Sequence, residues 1–323
     1  SKIQGYGKMN GENPDGKWTI FNQWGGISSE GSFDGKGEKH DKWTWYNDNG
    51  NVTDKGEYDH GLLTGEYLIY HPNNVLKKKA NYKEGDLHGE YKEYNRYGAL
   101  IESVTYSEGL YEGDYISYFG LGEGFMQYKI PYIKGEIQGK GYEYYPSGKV
   151  KAEMNFKNNQ REGATIIYFN NEKVEINRDY SEGMLIGKFT EYHMNGNLYQ
   201  EGNYVEGELD GKWKTYYDNK VLASESEYKT GKRVGEYKKY DRDGKLHYEY
   251  IYKRGNIIAY KNYNKKGEVI KEARKKAGLT QEELAKKSGT SKHYISRIEN
   301  DKSDIELLTL KKKISSSVKL QEK

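Results

Sequence analysis

Aromatic and aliphatic residues recur along the chain with a period of about 24 residues, and polar segments rich in glycine separate them. Ten copies of the pattern can be aligned from a glycine, replaced by aspartate in one copy, that we define as position 0. The copies begin at Gly16, Asp41, Gly65, Gly89, Gly113, Gly139, Gly163, Gly187, Gly211 and Gly235. A fixed period of roughly 20 to 50 residues is typical of an array of identical supersecondary units, each of which buries its apolar face against its neighbours.

Four apolar columns define each copy. Aromatic residues occupy positions +2, +5 and +17 in most copies, an aliphatic residue occupies +11, and glycine usually follows at +20. In the copy that begins at Gly65 these positions hold Tyr67, Tyr70, Leu76, Tyr82 and Gly85. Aromatic and β-branched residues favour strands, and Gly, Asn and Asp favour turns, so each copy is predicted to be a β-hairpin. Positions +2 and +5 differ by three, so one of them lies at a strand end or past a bulge, and the sequence leaves open which.

The composition fits a thin array without a deep core. Hydrophobic residues make up 34% of the 323 residues, and 33 of the 34 tyrosines precede residue 270. Tyrosine has an apolar ring and a polar hydroxyl, which suits a sheet that lies close to water. We therefore predict a mainly β protein with an elongated array of about ten or eleven hairpins over residues 1–267. At about 4.8 Å per strand, ten hairpins would extend roughly 100 Å.

The repeated segments, such as Gly65-Glu-Tyr67-Leu-Ile-Tyr70, carry a family resemblance. This consensus resembles the bacterial MORN-repeat variant family, whose units are hairpins of roughly 24 residues that begin with Gly-x-Tyr/Trp and carry a later Tyr-x-x-Gly. The resemblance covers residues 1–269, including a degenerate eleventh unit that starts at Ile258 and contains Tyr260. It implies a protein-interaction scaffold and not an enzyme. The first unit is incomplete, and an open strand edge there favours self-association.

The chain changes character after about Gly267, where a short basic tail with helical punctuation begins. The pattern predicts a helix over residues 269–277 and a second helix that a capping box at Thr280 opens and Gly289 closes. It also predicts a third helix capped by Ser291 and a fourth that starts at Asp304. We therefore predict a small all-α domain over residues 268–323, with a folded part over 268–312 and a polar end over 313–323.

The tail carries a second resemblance. Its segment from Leu279 to Asn300 is similar to the helix-turn-helix of phage-repressor (XRE-type) DNA-binding domains, and especially to the versions found in toxin–antitoxin operons. The shared features are Gln at the start of one helix, Leu-Ala within it, Gly at the turn, and Ile-Ser-Arg-Ile-Glu in the next helix. In that family the later helix enters the major groove with its N-terminal residues on base edges. The resemblance therefore implies that residues 280–302 bind double-stranded DNA.

The same resemblance assigns roles to individual residues. The side chains expected on base edges are those of Lys292, His293 and Arg297. The side chains expected on phosphates are those of Gln281, Ser291 and Lys302. Tyr294 is expected either to contact DNA or to pack within the protein. Arg274 and Glu299 match an ion pair that joins two helices in the family, and we expect this pair to be structural.

The charge is divided unevenly between the two parts of the chain. Residues 270–323 hold 14 Lys and Arg and 8 Asp and Glu, a net charge of +6, whereas the whole chain has a net charge of +3. The remaining residues 1–269 therefore carry about −3. A nearly neutral array of mixed sign argues against a nucleic-acid groove or an anionic-membrane surface along the repeats. The basic excess places the expected DNA contacts in the tail.

The sequence has no motif that is typical of catalysis or of metal binding. The chain has no cysteine, and its seven histidines are scattered without the spacing of metal ligands. The glycines between Gly120 and Gly124 are not followed by a helical pattern, unlike those of a phosphate-binding loop. We therefore predict a non-enzymatic protein without cofactor or metal. The chain shows no membrane-spanning stretch and no signal-peptide pattern, which predicts a cytoplasmic location.

Three functions from different classes fit these observations. The first, which we predict, is a DNA-binding regulator or antitoxin-like repressor whose repeats capture a protein, such as a toxin. The second is an immunity or adaptor protein that acts through the repeats alone, with the helical tail as a cap over the last hydrophobic edge. The third is a membrane-associated scaffold, which the mixed charge of the repeats disfavours.

Overall fold

The computed structural model describes residues 4–120, 124–262, 271, 274–275 and 277–299. The chain divides into two compact units, one that ends at Glu162 and one that begins at Gly163. Antiparallel hairpins make up the first unit, and the second contains further hairpins and two short helices. The prediction of a mainly β protein with a small helical part is confirmed.

The strands follow one another along the chain, and two copies have their first strand broken into a short and a longer piece. The strands are β1 Gly5–Asn10, β2 Asn13–Phe21, β3 Ile27–Phe33, β4 Lys39–Tyr46, β5 Val52–Asp59, β6 Leu62–Tyr70, β7 Leu76–Lys83, β8 Asp86–Tyr94, β9 Leu100–Ser107, β10 Leu110–Tyr118, β11 Met126–Ile133, β12 Glu136–Ile137, β13 Gly139–Tyr144, β14 Val150–Lys157, β15 Gln160–Tyr168, β16 Val174–Ser181, β17 Met184–Tyr192, β18 Leu198–Val205, β19 Glu208–Leu209, β20 Gly211–Tyr216, β21 Leu222–Lys229, β22 Lys232–Tyr240, β23 Leu246–Lys253 and β24 Asn256–Asn262. The described helices are α1 Gln281–Ser288 and α2 Lys292–Glu299.

Each 24-residue copy is one hairpin, and its register explains the apolar columns. In the copy that begins at Gly65, position 0 pairs with Tyr82 at +17, and Tyr70 at +5 pairs with Leu76 at +11. The register shifts between Ile69 and Tyr70. Position +5 is therefore both the last residue of its strand and the residue after an irregularity, which answers the question that the spacing of +2 and +5 left open.

Four positions of a typical copy, 0, +9, +19 and +20, have the left-handed backbone, and glycine is common at several of them. Adjacent hairpins are joined by two-residue turns in which both residues have positive φ, as in His60 (45°) and Gly61 (82°). This is the conformation of a type I′ turn, which matches the strand twist and strongly favours glycine at its second residue. Position 0 also has positive φ, including the one non-glycine case, Asp41 (59°). These two requirements account for the glycine columns at 0 and +20.

The buried interior consists of small aromatic clusters at the joints between hairpins. In the first unit, Trp18, Phe33 and Trp43 form one such cluster, and Trp43 is only 1% exposed. The rings of Phe33 and Trp43 meet edge to face at 4.9 Å between centroids. Such aromatic pairs add to the stabilisation that comes from burying the rings. Contacts of this kind between neighbouring hairpins stabilise a repeat array that has no single deep core.

Position +15 forms a further column of the repeat, which the pattern of aromatic and aliphatic residues did not reveal. The aromatic ring at +2 of one copy lies over the +15 residue of the preceding copy, which is small in many copies. A Cβ atom added to Gly31 would lie 2.1 Å from the Trp43 ring, and one added to Gly202 would lie 1.9 Å from the Trp213 ring. Glycine at +15 paired with tryptophan at the next +2 is the signal that would have revealed this contact.

Candidate nucleic-acid interface

Helix α1 begins and ends where the sequence predicted. Thr280 is the N-cap: its Oγ1 accepts a hydrogen bond from the Glu283 backbone N–H (3.2 Å), and the Glu283 carboxylate accepts one from the Thr280 N–H (2.7 Å). This reciprocal capping box satisfies two backbone donors that a helix N-terminus leaves unpaired. Gly289 ends the helix in the left-handed conformation, with φ of 67°. The capping box and the glycine stop are therefore confirmed.

Helix α2 follows after a short turn, which gives the helix-turn-helix arrangement. The Ser291 hydroxyl accepts a hydrogen bond from the Tyr294 backbone N–H (3.2 Å), as expected for the N-cap of this helix. Ile295 and Glu299 are buried, whereas Lys292 and His293 are exposed. The inward residues are four apart, the spacing of one helical face, so the first turn of α2 presents Lys292 and His293 to solvent.

A buried ion pair connects α2 to the segment before α1. The Arg274 guanidinium donates two hydrogen bonds to the Glu299 carboxylate, at 2.5 Å and 2.9 Å, and a third to the Leu279 carbonyl oxygen. The Gln281 side-chain amide donates to the same carboxylate at 2.8 Å. Burial alone would raise the pKa of Glu299, but its bonds to Arg274 and Gln281 outweigh that effect and hold the pKa below its ordinary value.

The expected DNA contacts occupy different environments. Lys292 and His293 lie side by side on the exposed first turn, where the Lys292 ammonium is 3.3 Å from the Glu282 carboxylate. Gln281, expected on a phosphate, is half-buried beside Glu299. Arg297 belongs to helix α2, but its side chain lies outside the described residues, as does Lys302 as a whole. The predicted helices over 269–277 and from Asp304 fall largely or entirely outside the described residues.

The two helices pack directly on the last strands of the second unit. Tyr260 of β24 shares one buried cluster with Leu284 and Ala285 of α1 and Ile295 of α2. Partly buried residues packed against this cluster are Tyr248, Tyr250, Leu279 and Tyr294. The ring of Tyr260 lies 4.8 Å from that of Tyr250 between centroids. Burial is the main cause that raises the pKa of Tyr260, so its hydroxyl stays protonated.

Tyr294 therefore lies on the side of α2 that faces the repeats. It is half-buried against the Tyr260 cluster, in the same helical turn as the exposed Lys292 and His293. The sequence left open whether Tyr294 would contact DNA or pack, and this position favours packing. The contact between the helices and the repeats was anticipated only as a cap over the last hydrophobic edge, without the residues that make it.

Two family models match the chain. The MORN repeat variant matches residues 63–84, 137–158, 185–206, 209–230 and 233–254, and each matched segment begins two residues before a position-0 glycine. A helix-turn-helix model matches residues 270–312, which include α1 and α2. The chain therefore carries MORN repeats followed by a C-terminal helix-turn-helix. Both models describe non-enzymatic types of domain, the repeats being a scaffold and the helix-turn-helix being of a type associated with DNA binding.

Comparisons over the whole chain add little to these two family matches. No curated protein matches it. The crystal structure of TcdB2-TccC3-Cdc42 aligns with 77% of this chain and 15% of its own, at 12% identity and a TM-score of 0.16. A structure of the Photorhabdus luminescens Tc holotoxin pore aligns with 78% of this chain and 15% of its own, at 12% identity and a TM-score of 0.17. The chain thus spans about 15% of those chains, and scores this low support no conclusion.

Membrane insertion through a helix has no candidate in the part of the chain that the structure describes. Neither α1 nor α2 is long and apolar enough to span a bilayer.

Proposed function

We propose that this protein is a DNA-binding regulator in which α2 reads the major groove and the MORN repeats hold a protein partner, in the manner of an antitoxin-like repressor. One observation carries the proposal: Lys292 and His293 are exposed on the first turn of α2, while Ile295 and Glu299 anchor the opposite side. The N-terminal residues of a recognition helix are those that reach base edges. Such a protein would act in the cytoplasm, where the DNA is accessible.

Charge supports this assignment. Residues 270–323, which include α1 and α2, carry a net charge of +6, while residues 1–269 carry about −3. Phosphate neutralisation by Lys and Arg supplies most of the sequence-independent affinity for DNA and makes that affinity fall with salt. Arg297 is proposed to read a guanine through its O6 and N7 atoms. Gln281, Ser291 and Lys302 are proposed to position the helix on phosphates, and Tyr294 is proposed to pack against the repeats.

Fluorescence anisotropy with random DNA duplexes across a salt series tests the proposal. The wild-type chain is expected to bind with a steep salt dependence, and Lys292→Ala/Arg297→Ala is expected to lower affinity at least tenfold. The matched control is Lys229→Ala/Lys232→Ala, which removes two positive charges at an exposed hairpin turn between β21 and β22. Equal losses in the two double variants, or no binding at low salt, would refute DNA recognition by α2.

The packing of the helices on β24 favours a second candidate, in which the helical domain is a cap and the repeats alone bind a protein. In that case Lys292→Ala/Arg297→Ala would leave all binding unchanged, because the repeats and not α2 would bind the partner. Partner capture that survives this double variant, together with no DNA binding by the wild type, would favour the cap.

A further inference from the structure

Two histidines that are 20 positions apart in the sequence lie next to each other in the first unit. His40 precedes position 0 of its copy, and His60 is the first residue of the turn that leaves the same copy. Their ring centroids are 5.2 Å apart. Asp59 Oδ1 lies between them, 3.5 Å from His40 Nδ1 and 3.7 Å from His60 Nε2. The hairpin register, and not the sequence spacing, brings these three side chains together.

Asp34 holds the His60 ring in a defined orientation. Its Oδ2 is 2.7 Å from His60 Nδ1, and its Oδ1 accepts hydrogen bonds from the backbone N–H groups of Lys36 (3.0 Å) and Glu38 (2.9 Å). The Asp34 side chain is only 10% exposed, so this carboxylate is fixed from both sides. With Nδ1–H donated to Asp34, the lone pair of His60 is on Nε2, the nitrogen that faces Asp59.

The position of Asp34 depends on a departure from the repeat. The first two copies are separated by 25 residues and not 24, and the extra residue lies in the connection between β3 and β4. That connection is a longer loop in which the Asp34 N–H donates to the Glu38 carbonyl oxygen at 2.8 Å. The loop places an aspartate against the next hairpin turn, which carries His60.

We propose that His40, Asp59 and His60 form a binding site for a divalent transition-metal ion such as Zn²⁺, with Asp34 as the positioning residue for His60. Zinc bonds to nitrogen and oxygen of about 2.0–2.2 Å in a tetrahedron place neighbouring donor atoms roughly 3.3 Å apart. The separations of 3.5 Å and 3.7 Å are close to that value. Water would complete the fourth position.

Two further observations support the site. His40 Nδ1 is buried and makes no hydrogen bond, so a ligand on this nitrogen would satisfy an otherwise unpaired polar atom. The pairing of Asp34 with the far nitrogen of His60 is the arrangement that commonly orients a metal-bound histidine through a carboxylate. His, His and carboxylate are the ligand types of several zinc sites in proteins.

Glu38 marks an alternative arrangement on the other side of His60. Ligand atoms of Asp34, Glu38 and His60 also lie within 4.8 Å of one another. A metal at that position would use His60 Nδ1 and would have to displace the proton shared with Asp34. We therefore place the ion on the Nε2 side, and Glu38→Gln distinguishes the two arrangements because it removes a ligand from only one of them.

The repeat provides a matched control at His88. This residue also directly precedes position 0 of its copy and is exposed, but the turn that leaves its copy carries Ser107 and Glu108 in place of Asp59 and His60. Its Nδ1 accepts a long hydrogen bond of 3.5 Å from the Glu108 backbone N–H. His88→Ala therefore removes a histidine from the same structural position without touching the proposed site.

The test is titration of the full chain with Zn²⁺ in competition with a chromogenic chelator. The wild type is expected to bind one Zn²⁺ ion with a higher affinity than it binds any further Zn²⁺ ion. His40→Ala and Asp59→Asn are expected to weaken that step at least 100-fold, while His88→Ala and Glu38→Gln leave it within about twofold. Equal losses in His40→Ala and His88→Ala would overturn the proposal, and so would a retained tight step in His40→Ala. A loss confined to Glu38→Gln would move the ion to the other side of His60 and would also overturn it.

Asp34 is tested separately, because it acts through His60. Asp34→Asn is expected to weaken Zn²⁺ binding about 10–100-fold. With Co²⁺ as the probe, the wild type and Asp34→Asn are both expected to show the visible absorption of a tetrahedral site. Thermal unfolding without metal shows that each variant is folded. A change of coordination in Asp34→Asn would make Asp34 a ligand and contradict its positioning role.

Discussion

Tyr260 of the last described strand and Ile295 of helix α2 are buried in the same apolar cluster, with 8% and 1% of their surfaces exposed. Within the repeats, an aromatic ring at position +2 packs against a ring on the following strand of the same hairpin, as the Tyr67 ring does against the Tyr82 ring at 5.9 Å between centroids. Tyr260 occupies the +2 position of the degenerate eleventh copy of the repeat, and residues of α1 and α2 cover its ring. The helix-turn-helix thus takes the place of a strand at this edge of the second unit.

Truncation of Ile295 is therefore expected to destabilise both α2 and β24. Ile295→Ala removes a fully buried aliphatic side chain from the joint, at a cost of about 2–5 kcal/mol. Hydrogen exchange of the backbone amides checks this: the amides of α2 and those of β24 are expected to lose protection together, because each element covers the other.

The control for this substitution is Ile258→Ala on the same strand, where the side chain is 56% exposed. Its effect is expected to stay within about 0.5 kcal/mol. Loss of protection in α2 alone, with β24 unchanged in Ile295→Ala, would show that the helices do not support the strand.

The contact between positions +15 and +2 predicts a steric penalty at Gly31. A Cβ at this residue would lie 2.1 Å from the Trp43 ring, which is 1% exposed and has no room to move away. Gly31→Ala is expected to destabilise the surrounding hairpins by about 1–3 kcal/mol, although glycine-to-alanine changes usually stabilise a strand. The free energy of opening measured by hydrogen exchange over β3 to β5 reports the change.

Another pair of +15 and +2 residues in the chain combines alanine with tyrosine, in place of glycine with tryptophan. Ala80 at +15 is completely buried beneath Tyr91, the next +2 residue. Gly31→Ala in a Trp43→Tyr background recreates that combination, so the alanine should cost less there than in the wild-type background. Equal costs in both backgrounds would mean that the ring is not what excludes the methyl group.

The hairpin fold could be predicted from the sequence because its determinants are local. Strand residues and turn residues recur at fixed offsets, and the glycine at +20 is required by a turn in which His60 and Gly61 both have positive φ. The partners of the +2 rings could not be predicted, because they depend on a register between neighbouring hairpins that includes a bulge at position 0. The proximity of His40 and His60 depends instead on the register within one hairpin, in which Asp41 pairs with Tyr58.

The ion pair between Arg274 and Glu299 predicts a pH dependence. The pKa of Glu299 is lower in the folded chain than in the unfolded chain, so its contribution to stability is present above the unfolded value near 4.5 and is lost as the pH falls through the folded value. Protection of the α2 amides is expected to fall on acidification below about pH 4.5. The comparison is made with protection factors, which correct for the intrinsic effect of pH on exchange.

Glu299→Gln separates this titration from general acid unfolding. The Glu299 side chain is fully buried and Arg274 is 11% exposed, so removal of the negative partner leaves a buried charge and is expected to cost about 3–5 kcal/mol at neutral pH. The remaining protection in the variant should then depend less on pH than in the wild type. An unchanged slope would assign the acid sensitivity to other carboxylates.

Among the residues of the predicted DNA-binding segment, local features could be predicted from the sequence and long-range contacts could not. The caps at Thr280 and Gly289 follow from side-chain and backbone chemistry within one helix, and they are confirmed. The environment of Gln281 and of Tyr294 depends on contacts with Glu299 and with the repeats, which no local pattern encodes. The roles of the exposed Lys292 and His293 stay predictions until DNA binding is measured.

A single arginine joins three tyrosines of the second unit and predicts a specific loss of stability. The Arg233 guanidinium lies 5.3, 4.8 and 5.2 Å from the ring centroids of Tyr228, Tyr237 and Tyr252. It also donates hydrogen bonds to the Tyr228 hydroxyl (2.7 Å) and the Tyr252 hydroxyl (3.4 Å). A lysine at this position keeps the charge but loses the planar fork that reaches both hydroxyls.

Arg233→Lys is therefore expected to destabilise β21 to β23 by about 1–2 kcal/mol, since both the hydrogen bonds and the stacking on the rings are lost. The matched control is Arg242→Lys, in which a 65% exposed arginine lies over one ring, Tyr217. This control is expected to change stability by less than about 0.5 kcal/mol. Hydrogen exchange of the two variants measures both effects. Equal effects would mean that the tyrosine cluster does not depend on a central cation, and that its rings are held by strand pairing and by contacts with one another.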